Sequence, residues 1–136
     1  MEKTLQEEQD EVARNYQVQT TIEMIKENMV DSSLRLDINS VCARSLAKAM
    51  WANSTITCLD LSSNALDDHG GAYLARILKR NRSIVKLELD NNQLGPATCR
   101  AFGESLIVND ALKMLSLDSN PLMEKTSTGF NLLAER

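Results

Sequence analysis

Asp67-Asp68-His69 is the one place in this 136-residue chain where carboxylates and an imidazole stand side by side. Such a trio has the groups for proton transfer, because histidine titrates near neutrality and a neighbouring carboxylate tunes it. Its position argues for a plainer role. It falls just ahead of a helix-forming run, where Asp side chains accept from free backbone N–H groups. No glycine-rich phosphate loop and no nucleophile elbow accompany it. His69 is the only histidine, and Cys42, Cys58 and Cys99 are widely spaced, so the ligand spacing of a metal site is missing. The residues therefore point to no catalytic group, no cofactor and no metal. The other recurrent chemistry is that of the carboxamide. Asn39, Asn64, Asn92 and Asn120 each follow a pair of apolar residues at one fixed offset. An amide that both donates and accepts can satisfy backbone groups stranded by a sharp turn. These four residues are expected to form a structural ladder.

The elements that would carry the ladder follow from a repeat. Ile56-x-x-Leu59-x-Leu61-x-x-Asn64-x-Leu66 returns 28 residues later as Ile84-x-x-Leu87-x-Leu89-x-x-Asn92-x-Leu94, and again as Leu112-x-x-Leu115-x-Leu117-x-x-Asn120-x-Leu122. Within L-x-L the period is 2, so both leucines face one side of a short strand. One repeat cannot cover that side alone, and stacking neighbours gives a parallel sheet with one strand per repeat. The second half of each repeat reads as a helix with a large-small-large stripe: Leu46, Ala47, Met50; Leu74, Ala75, Leu78; Phe102, Gly103, Leu106; Phe130, Asn131, Ala134. Asn53, Asn81 and Asn109 follow the helices and are expected to stop them in the left-handed conformation. Pro96 suits a first helical turn. A degenerate first repeat, Leu34-Arg-Leu36-Asp-Ile-Asn39-Ser-Val41, has three fewer loop residues.

A 28-residue period with a full helix, ending N-x-[ST]-[IL] in two of the copies, resembles the ribonuclease-inhibitor type of leucine-rich repeat. Leu66-Asp-Asp-His-Gly-Gly-Ala-Tyr-Leu74-Ala75 is similar to that family's L-x-x-x-G-x-x-x-L-A. Thr98 and Thr126 stand where the family's glycine, here Gly70, is expected. The resemblance covers residues 33–136. It implies an α/β fold: a short solenoid with parallel strands on the concave side, helices on the convex side and an N-terminal helical cap. The expected organisation is a cap or docking arm over 1–31 and a solenoid over 32–136. The solenoid divides into a degenerate repeat 32–55, repeats 56–83 and 84–111, and an incomplete repeat 112–136. Relatives of this type include ribonuclease inhibitor, the GTPase-activating protein of Ran, tropomodulin, the sensor region of NOD-like receptors and several ciliary proteins. Most are intracellular, non-enzymatic binding scaffolds, and that is the expectation here.

Composition agrees with a binding role. The net charge is −4 and the pI about 5.0, which disfavours nucleic acid. No apolar run reaches the ~18 residues a membrane span needs, and the polar, acidic first residues are not those of a secretory or transit signal. An odd cysteine count fits a reducing compartment. Cys42 and Cys99 are expected as small core residues, and Cys58 as partly exposed beside its strand. Asn53-Ser-Thr and Asn81-Arg-Ser match the glycosylation acceptor pattern. At helix ends of an apparently cytoplasmic protein, their use is not expected.

Residues 2–29 lack the repeat. Leu5, Val12, Tyr16, Ile22, Ile25 and Met29 give an amphipathic pattern in the later part and a weak one in the earlier. A helix capping the first strand is one reading; a docking or coiled-coil arm is another, with disorder over 1–10 a third. At the opposite end a helix is expected from near Thr128, with the last strand's edge covered by a neighbour or by further repeats.

The residues flanking each L-x-L should face the concave side: Ser33, Arg35, Asp37; Cys58, Asp60, Ser62; Lys86, Glu88, Asp90; Met114, Ser116, Asp118. Five carboxylates against two bases would attract a basic protein segment, unless these charges serve solubility alone. The helix side leans basic through Arg44, Lys48, Arg76, Lys79, Arg80 and Arg100. Trp51 and Ile107 share the outward position of Lys79, making both candidate contact anchors; for Trp51 the competing expectation is burial beneath the N-terminal helix. The partner is expected to be protein, with no nucleic acid, membrane or small-molecule substrate. Three functional readings follow. The first is an adaptor or structural subunit of a cytoskeletal or axonemal assembly. The second is a regulator: a GTPase activator, an inhibitor or a tropomodulin-like actin regulator. The third is a piece of a longer leucine-rich repeat receptor.

Overall fold

Apolar side chains at period 2, then at helical spacing, build an alternation of strand and helix. The computed structural model describes residues 4–123. Helix α1 spans Leu5–Lys26, and three β–α pairs follow: β1 Ser33–Arg35 with α2 Ser40–Ala52, β2 Cys58–Asp60 with α3 Asp68–Arg80, β3 Lys86–Glu88 with α4 Pro96–Val108; β4 is Met114–Ser116. The strands form one parallel sheet in chain order. Leu34, Leu59, Leu87 and Leu115 are in register across it. Beneath lies a continuous core of Leu59, Leu61, Leu66, Leu87, Leu89 and Leu94 against Leu46, Met50, Leu74, Leu78 and Phe102. Each fully buried side chain contributes about 1.5–3 kcal/mol before conformational entropy is subtracted. The expected helix with Phe130, Asn131 and Ala134, its start near Thr128 and the substitution at Thr126 lie outside the described residues.

The turns after the strands are closed by amides. Asn92 accepts from the N–H groups of Asn64 (2.9 Å) and Leu66 (3.1 Å) and donates to the carbonyls of Leu61 (3.1 Å) and Leu89 (2.9 Å). Asn64 accepts from Ile38 and donates to Leu36 and Leu61. Asn120 accepts from Leu94 and donates to Leu89 and Leu117. Asn39 does not join them. With three residues fewer in its loop, it falls at the N-cap of α2 and accepts from the Cys42 N–H (3.0 Å). The chain before each ladder residue turns through a positive φ, at Ser63, Asn91 and Ser119.

A second ladder lies at the helix ends. Asn53, Asn81 and Asn109 were expected in the left-handed conformation; they are extended, with φ of −75°, −66° and −98°. Their side chains do the work instead. Asn81 Oδ1 accepts from Ser83 and Ile84 N–H, while its Nδ2 donates to the carbonyls of Met50 (2.9 Å) and Asn53 (3.1 Å). Asn53 reaches the Ile25 carbonyl, and Asn109 those of Leu78 and Asn81, in the same way. Each amide thus closes its own turn and satisfies carbonyls at the end of the preceding helix, which otherwise lack partners. The left-handed stop occurs at Asn28 (φ 56°), after α1, with Met29 N–H bonded to the Met24 carbonyl and Asn28 N–H to that of Ile25. Asn53 and Asn81 are buried, so their amide nitrogens are committed to the fold rather than open to glycosylation.

Candidate interaction surfaces

Asp67 is the N-cap of α3, accepting from the N–H groups of His69 (3.0 Å) and Gly70 (3.3 Å) and from the Ser40 hydroxyl (3.0 Å). The Ser40 bond, then the Gly70 N–H, hold its carboxyl below the ordinary 3.8. Asp68 crosses to the next repeat. It accepts from Gly95 N–H (2.8 Å), Thr98 N–H (3.1 Å) and the Thr98 hydroxyl (2.6 Å). The N-cap of α4 is Gly95, which has no side chain to offer, so Asp68 caps α4 from outside. Burial pushes the Asp68 carboxyl up, but the Thr98 and Gly95 bonds more than offset this and lower it. Thr98, at the position equivalent to Gly70 one repeat earlier, is the donor this arrangement uses; Gly71 makes room for it, since a Cβ at Gly71 would overlap the Thr98 side chain. His69 packs edge-on against Tyr73. The triplet is thus a pair of helix caps with an aromatic contact.

On the strand face most charges are already paired. Arg35 bonds Asp37 and Asp60, both at 3.3 Å, and Lys86 bonds Glu88 at 3.1 Å. Burial pushes the Asp60 carboxyl up, yet Ser62 and Arg35 together bring it below its ordinary value. Asp90 accepts from the Ser116 hydroxyl (2.6 Å) and the Asp118 N–H (2.8 Å). Asp118 and Met114 are exposed. The structure therefore brings Asp60, Lys86, Glu88, Asp90 and Asp118 together on adjacent strands with Arg35 and Asp37 at the first. Cys58 is half-buried among them, Cys42 is half-buried on α2, and Cys99 is buried, where desolvation pushes its thiol up.

The helix face differs. A groove of about 400 Å³ between α2 and α3 is lined by Arg44, Ala47, Lys48, Trp51, Tyr73 and Arg76. The Arg80 guanidinium lies 5.6 Å from the Trp51 ring centre and that of Arg76 lies 5.5 Å from Tyr73, a favourable cation–π arrangement. Trp51 is 42% exposed and faces α3; the expectation that it tucks beneath the N-terminal helix is replaced by this contact. Ile107 is 84% exposed on α4. Among the described residues, none of Arg44, Lys48, Arg76, Lys79 or Arg80 makes an ion pair.

With this geometry in view, a leucine-rich repeat family model matches residues 52–75. The chain folds as a leucine-rich repeat solenoid. Among solved structures, it is similar to "Leiomodin-1 Actin-Binding Site 2 (ABS2)", with a TM-score of 0.68 and 22% identity, covering 79% of this chain and 64% of that one. It is also similar to the tropomodulin C-terminal domain from Caenorhabditis elegans, with a TM-score of 0.65 and 21% identity, covering 76% and 65%. The chain spans a little under two thirds of either structure. No curated protein matches it. The solenoid's N-terminal helix is the feature the sequence described least well. It is continuous from Leu5, with a capping box between Thr4 and Glu7, so the expectation of disorder fails over 5–10. Val18, Ile22 and Ile25 are buried, whereas Leu5, Val12 and Tyr16 are exposed. Among the described residues no helix is long and apolar enough to cross a membrane.

Proposed function

We propose that the chain is a non-enzymatic protein-interaction module, a scaffold or adaptor in a cytoskeletal assembly. One observation carries this. The strand face presents in-register polar side chains on four successive strands, while the one acid–imidazole cluster is consumed in helix caps. Strand spacing of about 4.8 Å sets Asp60 beside Glu88 in one row and Asp90 beside Asp118 in the next, an acidic patch that suits a basic segment. The 28-residue period with a full helix supports the ribonuclease-inhibitor subtype. A second reading, an actin regulator of the tropomodulin kind, is favoured by the similarity to the leiomodin domain, which is an actin-binding site. Co-sedimentation of the full chain with actin filaments tests it. Saturable pelleting with a Kd of about 10 µM or tighter supports the actin reading. A chain that stays in the supernatant up to about 100 µM rejects actin. Crosslinks to a partner other than a second copy of this chain that map only to the helix face would overturn the strand-face assignment.

A further inference from the structure

The overhanging N-terminal half of α1 exposes an apolar stripe flanked by acid, and its chemistry matches that of the α2–α3 groove. From Leu5 to Gln17 the helix carries Glu7, Glu8, Asp10 and Glu11 against Arg14 alone. Leu5, Val12 and Tyr16 fall within about 40° of one another around it, and all three are exposed at 68% or more. Glu8 flanks that apolar stripe and is exposed. The groove has the reverse character. Arg44 and Lys48 sit one turn apart on one wall, Arg76 and Arg80 one turn apart on the other, and Trp51 and Tyr73 line it between them. Helix α2 has no carboxylate, and in α3 the one carboxylate, Asp68, is engaged as the cap of α4. Two rows of cations along an aromatic floor fit an elongated acidic segment with apolar anchors better than a single anion, because the charges do not converge on one point.

We propose that the groove receives the acidic N-terminal half of α1 from a second copy of this chain. The lengths agree: the overhang is about 20 Å long, and α2 and α3 have 13 residues each. The chain's own overhang cannot fill its own groove. It is one helix with the segment Val18–Ile25, whose buried side chains fix its direction. Burial of Leu5, Val12 and Tyr16 against Trp51 and Tyr73 supplies the attraction, and the unpaired guanidinium and ammonium groups supply orientation. If each copy receives the other's helix, the pair closes at a dimer; one-way docking extends into longer chains. Either raises the mass above that of the monomer.

Sedimentation velocity of the full chain tests this, with E8K/D10K, R44E/R76E and V12S/Y16S variants shown to be folded by circular dichroism. The wild type is expected to associate, more weakly at high salt. Each variant should lose association at least about tenfold, a difference of about 1.4 kcal/mol. Mixing E8K/D10K with R44E/R76E should restore a heavier species, because the altered charges then complement one another. A wild type that remains monomeric overturns the proposal. So does association that survives all three variants, or a charge-reversed mixture that stays monomeric.

Discussion

The two faces of the solenoid carry similar numbers of charges and treat them in opposite ways. On the strand face, Arg35 and Lys86 are each paired with carboxylates of their own or the adjacent strand, and Asp90 is held by Ser116 and Asp118. On the helix face, five cations make no ion pair among the described residues, and two rest over aromatic rings. The difference is geometric. In-register strands bring side chains of successive repeats within reach of one another, so that Arg35 meets Asp60, and Lys86 finds Glu88 on its own strand. On the helices Lys48 and Arg76 stand at equivalent positions of successive repeats, so stacking brings these like charges together. The strand face is thus partly self-neutralised, and the helix face keeps its field for something outside.

Both faces rest on the asparagine ladders, and breaking one has the largest expected effect. Replacing Asn92 by Ala strands the buried Leu66 N–H, the half-buried Asn64 N–H and several carbonyls. At roughly 1–3 kcal/mol for each group left unsatisfied, a loss of about 3 kcal/mol or more is expected, read by urea unfolding. Asn81→Ala should cost a similar amount. A cost under about 1 kcal/mol for either would mean the amides are incidental to the stack. Next is Gly71→Ala, which drives a methyl into Thr98 at the α3–α4 contact and should destabilise by about 1–3 kcal/mol. The double variant with Thr98→Ala, which removes both the hydroxyl and the γ-methyl that the new Cβ would meet, should recover part of that.

Acid separates the faces in a different way. Asp60, Asp67 and Asp68 all have carboxyls held below 3.8 in the folded chain. Groups lowered on folding contribute stability above their unfolded pKa, and that contribution is lost as pH falls through the folded values. The melting temperature should therefore drop as pH falls below about 4, and Asp68→Asn should flatten the drop. An unchanged slope in that variant would remove Asp68 from the account. The smallest effect distinguishes the surfaces directly. Lys86→Ala breaks an exposed ion pair and should lower the melting temperature only slightly. Lys48→Ala breaks none and should leave stability unchanged, or raise it slightly by relieving like-charge repulsion.

Much of this was legible in the residues. The L-x-L triplets announced the strands, the large-small-large stripe the helices, and Asn64, Asn92 and Asn120 the first ladder, because a fixed period forces equivalent environments. The second ladder has the same period, yet Asn53, Asn81 and Asn109 follow helices, where a left-handed stop is the familiar use. Their cross-repeat bonds depend on how closely one helix end approaches the next, which no local pattern encodes. Asn39 kept the motif's spacing while a shortened loop shifted it to a helix start. The pairing of Arg35 with Asp60, or of Arg80 with Trp51, depends on side-chain direction across elements, so composition revealed the charges but not which of them were free. The Asp68 bridge to Thr98 was hidden for the same reason.

Co-sedimentation with actin filaments of the wild type, a D90K/D118K strand-face variant and an R44E/R76E helix-face variant tests the central claim most directly. The account predicts that the wild type and the helix-face variant pellet alike while the strand-face variant loses at least about tenfold in affinity. Pelleting that is lost with the helix-face variant and kept with the strand-face variant would contradict it.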